Sequence, residues 1–88
     1  MKKINLSRIT IKTLEGQEQQ VDIKNAVSNY LYYYGMTSQE MNLGEHLHSN
    51  DENVTDEEAK IILDALERMK IAYIVRQSVA ETLGIKIE

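Results

Sequence analysis

The sequence predicts an α+β fold: an N-terminal β-hairpin packed on three to four helices. Three observations predict it. Alternating β-branched residues flank a glycine turn near the start. Apolar residues then recur at helical spacing from residue 23 onward. Two Thr-x-x-Glu sequences, beginning at Thr37 and Thr55, mark helix starts.

The hairpin comes first. Ile9 and Ile11 alternate with Thr10 and Lys12, and Val21 and Ile23 alternate with Gln20 and Asp22. A two-residue loop at Glu15-Gly16 would oppose Ile11 to Gln20. A three-residue loop, Glu15 to Gln17, pairs Ile11 with Val21 and Ile9 with Ile23, and so places four apolar side chains on one face. Ile4 and Leu6 have the other parity, which a bulge near Leu6-Ser7-Arg8 would correct. Such a hairpin is marginal alone and needs helices on its apolar face.

The first helix begins near Asp22, whose carboxylate suits a helix start. Its apolar positions are Ile23, Ala26, Val27, Tyr30, Leu31 and Tyr34. Gly35 is placed to end it in the left-handed conformation. Thr37-Ser38-Gln39-Glu40 opens a short helix through Met41 and Leu47, weakened by Gly44 by about 1 kcal/mol relative to Ala. After the polar loop Ser49 to Asn53, Thr55-Asp56-Glu57-Glu58 opens the most periodic helix, with Ala59, Ile62, Leu63, Leu66 and Met69 on one stripe. A break near Met69–Ala72 is expected from length alone. The last helix carries Val75, Val79 and Leu83 inward and ends at Gly84. Ile85-Lys86-Ile87-Glu88 alternates as a third short strand would.

Eighty-eight residues without cysteine make one small domain, residues 1–88, with a modest core. All five aromatics are Tyr, and Pro, Trp and Phe are absent. The basic start lacks the apolar run of a secretory signal, and no stretch approaches the ~20 apolar residues of a membrane span. A cytoplasmic location, with no membrane association, is the expectation.

The net charge is −4 and is unevenly placed. Lys2, Lys3, Arg8 and Lys12 precede any acid, whereas residues 40–58 hold seven acids and no Lys or Arg. That balance weighs against nucleic-acid binding, which needs several cations to displace phosphate counterions. Nucleic-acid contact along Lys2, Lys3, Arg8 and Lys12 is the alternative functional expectation.

Catalytic and metal chemistry find no foothold. There is no nucleophile-elbow or Ser-x-x-Lys setting, and the four glycines form no phosphate loop. His46 and His48 stand two apart, so on a helix they diverge and cannot share a metal. An EF-hand register starting at Asp51 puts Asp56 where Gly is required and Ile62 where a bidentate Glu is required. No catalytic residue, metal, cofactor or small-molecule substrate is expected.

The most unusual feature is Tyr30, Tyr32, Tyr33 and Tyr34. Tyr30 and Tyr34 fall on the core stripe with Leu31, Tyr33 flanks it and Tyr32 lies opposite. Tyr is enriched at interface hot spots, so Tyr32 and Tyr33, with Tyr30 beside them, are the candidate contact for a protein partner or a second copy. A stacking platform for single strands would need cations, and only Lys24 is near.

The runs VDIKNAVSNYLYY and VTDEEAKIILDAL, within a pattern spanning residues 9–34 and 54–66, resemble small uncharacterised proteins of bacterial prophages and other mobile elements. The resemblance covers about half the chain. It implies an accessory or assembly role and carries over no site residue. Together these features lead to an expected non-enzymatic interaction or assembly module that self-associates.

Overall fold

The structure, a computed structural model, describes residues 2–49 and 51–86. Its elements run β1 (Lys2–Lys3), β2 (Ile9–Lys12), β3 (Glu18–Val21), α1 (Lys24–Tyr34), α2 (Ser38–His48), β4 (Asn53–Val54), α3 (Asp56–Arg68) and α4 (Tyr73–Leu83). The fold class is the expected one: four helices with short antiparallel strand pairs.

The hairpin of β2 and β3 keeps its predicted parity but not its register. Ile9 opposes Val21, Ile11 opposes Gln19 and Lys12 opposes Glu18. The pairing is therefore shifted by two residues from Ile11–Val21. The loop is still three residues long but is Leu14-Glu15-Gly16. Thr13 N–H donates to the Gln17 carbonyl at 2.8 Å and Gly16 N–H to the Thr13 carbonyl at 2.9 Å. Gly16 holds φ +82°, the left-handed position that closes such a loop. Thr13 Oγ1 accepts from Gln17 N–H, which locks the shorter frame. Ile23 is released from the sheet and sits buried at the start of α1, its N–H donating to the Leu6 carbonyl.

Ile4 and Leu6 are buried, but not by a bulge in one continuous strand. Asn5 forms an Asx turn: its side-chain oxygen accepts from Ser7 N–H, and its carbonyl accepts from Arg8 N–H. The turn separates β1 from β2, and β1 pairs with β4 instead, Lys2 opposite Val54 and Lys3 opposite Asn53. Ile85 and Lys86 are not in a strand, and Ile87 and Glu88 of the expected third strand lie outside the described residues, as does Asn50 of the polar loop.

The helices are set by their ends. Asp22 accepts from Lys24 N–H at the start of α1. Thr37 caps α2 by accepting from Glu40 N–H, and Thr55 with Glu58 forms a complete capping box on α3. Gly84, at φ +70°, ends α4 as expected. Gly35 does not end α1 in the left-handed conformation: its φ is −64°. Its glycine is needed for space, because a Cβ there would stand 2.4 Å from the Leu31 carbonyl oxygen and 2.9 Å from Glu40 Cβ.

The break between α3 and α4 falls where length predicted it. Lys70 adopts φ +61°, and the Schellman pair is present: Ile71 N–H to the Leu66 carbonyl and Lys70 N–H to the Glu67 carbonyl, both 3.0 Å. A side chain in this conformation is strained, so Lys70→Gly should stabilise the fold by about 0.5–1 kcal/mol. Thermal unfolding followed by circular dichroism should show a rise of roughly 2–8 °C in Tm. A fall would mean that the Lys70 side chain contributes more than its backbone costs.

Ile9, Val27, Leu31, Leu43, Leu47, Val54, Ile62, Leu66, Val79 and Leu83 meet in one core, so every element longer than two residues except β3 sends at least one buried apolar side chain inward. The α1–α2 hairpin is the most extensive helix pair, while α4 covers β2. Tyr30 is half-buried, as its stripe predicts, but Tyr34 and Ala26 are exposed. Tyr34 is the last residue of α1 and projects past the edge of the core.

Candidate functional site

Four tyrosines on one helix turn in different directions, because each residue advances about 100°. Tyr30 packs inward, with the Arg68 guanidinium 5.6 Å from its ring centre and the Tyr34 ring at 5.8 Å. It is part of the structural framework and not of the outer face. Tyr32 and Tyr33 point outward, 43% and 71% exposed, and their rings meet edge to face at 5.0 Å and 82°.

The neighbour of that pair is α2, held unusually close. Gly44 is buried in the middle of α2, and a Cβ there would lie 2.8 Å from both the Ser28 carbonyl oxygen and Tyr32 N. The two backbones touch at this point. The outer edges of the contact leave a half-open cleft of about 370 Å³. Tyr32 and Tyr33 line it from α1, Glu45 and His48 from α2, with Ser28 at the contact itself. Ser28 is 2% exposed and its hydroxyl has no hydrogen-bond partner.

Three other acids of the 40–58 stretch have visible structural duties. Glu40 is buried and accepts from Arg68 at 2.5 Å and from Met36 N–H at 3.2 Å. The Arg68 hydrogen bond is the largest reason its carboxyl titrates below the usual range, and burial opposes the effect. Asp51 accepts from the backbone and side-chain N–H groups of Asn53, which likewise lower its pKa. Glu58 closes the capping box.

His46 and His48 both lie on α2, in the divergent arrangement that excludes a shared metal. His46 Nε2 is 2.6 Å from the Asn53 carbonyl, and a carbonyl only accepts, so that nitrogen bears the proton and offers no lone pair. Among the described residues no three His, Asp or Glu side chains converge as metal ligands.

The four N-terminal cations do not share one hairpin. Lys2 and Lys3 lie on β1, in a different sheet from Lys12, and Arg8 follows the Asx turn between them. Lys2 reaches Asp56 at 3.8 Å, Lys12 stands opposite Glu18, and Arg8 lines a second cleft that also contains Asp51 and Glu52. Lys2, Arg8 and Lys12 thus have acidic neighbours, while Lys3 stands opposite Asn53.

Sequence reasoning placed Tyr32 and Tyr33 outside but missed Glu45, His48 and the unpartnered Ser28. The available signal was Gly44, an interior helix glycine that local propensity does not explain. Among the described residues no helix is long and apolar enough to cross a membrane. Comparison with protein-family models, curated proteins and solved structures gives no match.

Proposed function

We propose that the chain is a small, non-enzymatic, cytoplasmic interaction or assembly module, of the accessory kind, that docks to protein surfaces, including copies of itself, through the outer face of α1 and α2. One observation carries this. Of the eight large apolar or aromatic side chains exposed among the described residues, five lie between 32 and 41: Tyr32, Tyr33, Tyr34, Met36 and Met41. Clustered exposure of this kind marks interaction surfaces, whereas scattered exposure is ordinary. Tyr and Met are also enriched at interfaces over the rest of a protein surface.

The test is sedimentation velocity on the full chain and on Tyr32→Ser/Tyr33→Ser. Wild type should associate reversibly as concentration rises, and the double variant should weaken that association at least about tenfold. Both rings point outward, so its thermal midpoint should remain close to that of wild type. A chain that stays monomeric to about 1 mM, a dissociation constant worth only about −4 kcal/mol, would contradict self-association. So would a double variant that associates as well as wild type.

A further inference from the structure

We propose that the α1–α2 cleft receives an arginine side chain presented by a basic segment of a partner protein. This names the partner chemistry for the face described above and rests on that assignment.

Charge points to a cation. From Asn25 to Ser49 the chain has no Lys or Arg. Of its two acids, Glu40 is taken by Arg68, while Glu45 is exposed and lines the cleft. His48 is the last residue of α2, so the carbonyl end of that helix also lies here and adds partial negative charge. A phosphate or carboxylate would find no Lys or Arg among the lining residues.

Shape points to a guanidinium. Tyr32 and Tyr33 stand nearly perpendicular and offer a ring face beside a ring edge. A planar guanidinium stacks on such a face and still directs N–H groups to a carboxylate. The chain makes this contact twice within itself, Arg68 over Tyr30 at 5.6 Å and Arg76 over Tyr73 at 5.4 Å. In the cleft, Glu45 would take the place that Glu40 and Asp64 hold around Arg68.

Ser28, whose buried hydroxyl has no hydrogen-bond partner, lies at the helix contact beside the cleft. A hydroxyl both donates and accepts, so it is compatible with an arginine without selecting one. Arginine brings five donors and needs no acceptor in return. The half-open volume of about 370 Å³ suits a side chain entering from a passing segment better than an enclosed metabolite.

The experiment is an NMR titration of the 15N-labelled full chain. The probes are a capped Gly-Arg-Gly peptide, its citrulline counterpart and a short single-stranded RNA oligonucleotide. The arginine peptide should shift amides within residues 28–33 and 44–48. The neutral citrulline peptide should bind at least about fivefold more weakly, because it keeps the shape and loses the charge. Glu45→Gln should weaken the arginine peptide by a similar factor while leaving the melting temperature unchanged. Any of three results overturns the proposal: no shifts at about 10 mM peptide, a weaker limit than ordinary specific binding; an equal response to citrulline; or stronger perturbation of the same amides by RNA. If the peptide is inert while Tyr32 and Tyr33 still govern self-association, the arginine assignment alone fails. If the peptide is inert and the chain is monomeric, the docking face fails with it.

Discussion

Gly44→Ala should destabilise the protein by about 2 kcal/mol and lower Tm by roughly 8–16 °C. Helix propensity alone predicts the opposite sign, a gain of about 1 kcal/mol from removing an interior glycine. Packing decides the outcome. The new Cβ would stand 2.8 Å from Ser28 O, 2.8 Å from Tyr32 N and 3.2 Å from Tyr32 Cα. All three are backbone atoms, so no side chain can rotate away and the helices themselves must separate. Asn42→Ala, on the exposed side of the same helix, should be neutral or slightly stabilising and serves as the control. Thermal unfolding of the pair isolates the contact from the propensity. A Gly44→Ala protein more stable than wild type would mean that α1 and α2 do not meet at Gly44. The same substitution should disturb the cleft, because the glycine contact sets the distance between Tyr32 and Glu45.

The second large effect concerns Arg68 and Glu40, which tie the end of α3 to the start of α2. Arg68→Met should cost about 2 kcal/mol, since it leaves a buried carboxylate with only the Met36 N–H and the Thr37 hydroxyl as donors. The figure is kept below the 3–5 kcal/mol typical of breaking a fully buried pair because the Arg68 side chain is 32% exposed. Replacing both residues by apolar ones of similar size should restore part of the loss. The pH dependence has a definite sign. Glu40 has a lowered pKa in the fold, so its contribution is present above the ordinary carboxylate value near 4.5. It is lost as pH falls through the lower folded value. Glu40→Gln should therefore be less stable than wild type at neutral pH and lose less stability as pH falls below about 4.5. Asp51 acts in the same direction and remains in both proteins, so the difference between the two curves belongs to Glu40. Denaturant midpoints measured across that range test it, and parallel curves would contradict it.

Local chemistry was legible where one element decided it. Thr37, Thr55 and Gly84 act at helix ends because capping depends on residues within one turn. The common face of Ile9, Ile11 and Val21 followed from parity, which a shift of two residues preserves. The register itself turned on where Gly16 sits in the loop. Its left-handed φ makes it the third loop residue, and the Thr13 side chain holds that frame. Pairing of Lys2-Lys3 with Asn53-Val54 joins two-residue strands about fifty positions apart, too short to carry a periodic signal. Gly35 looked like a left-handed terminator and is instead a spacer against Leu31 and Glu40, a distinction only tertiary contact makes.

The site divides in the same way. The outward direction of Tyr32 and Tyr33 follows from the period of α1, and the inward direction of Tyr30 from the same stripe. Tyr34 obeys the period and still emerges, because the core ends before the helix does. Glu45 and His48 joined the tyrosines only when α2 folded back on α1, and the close approach that Gly44 permits is not written in either helix alone.

On the proposed function, the outer face of α1 and α2 is where this protein meets others. A dilution series of 15N–1H correlation spectra on the unaltered chain, from about 1 mM down to about 20 µM, a span suited to weak association, tests it without any substitution. Concentration-dependent shifts should concentrate in residues 28–36 and 41–48 and be absent around Lys3, Arg8 and Lys12. Shifts confined to the exposed Tyr73 and Ile74 of α4, or spectra unchanged throughout the series, would contradict it.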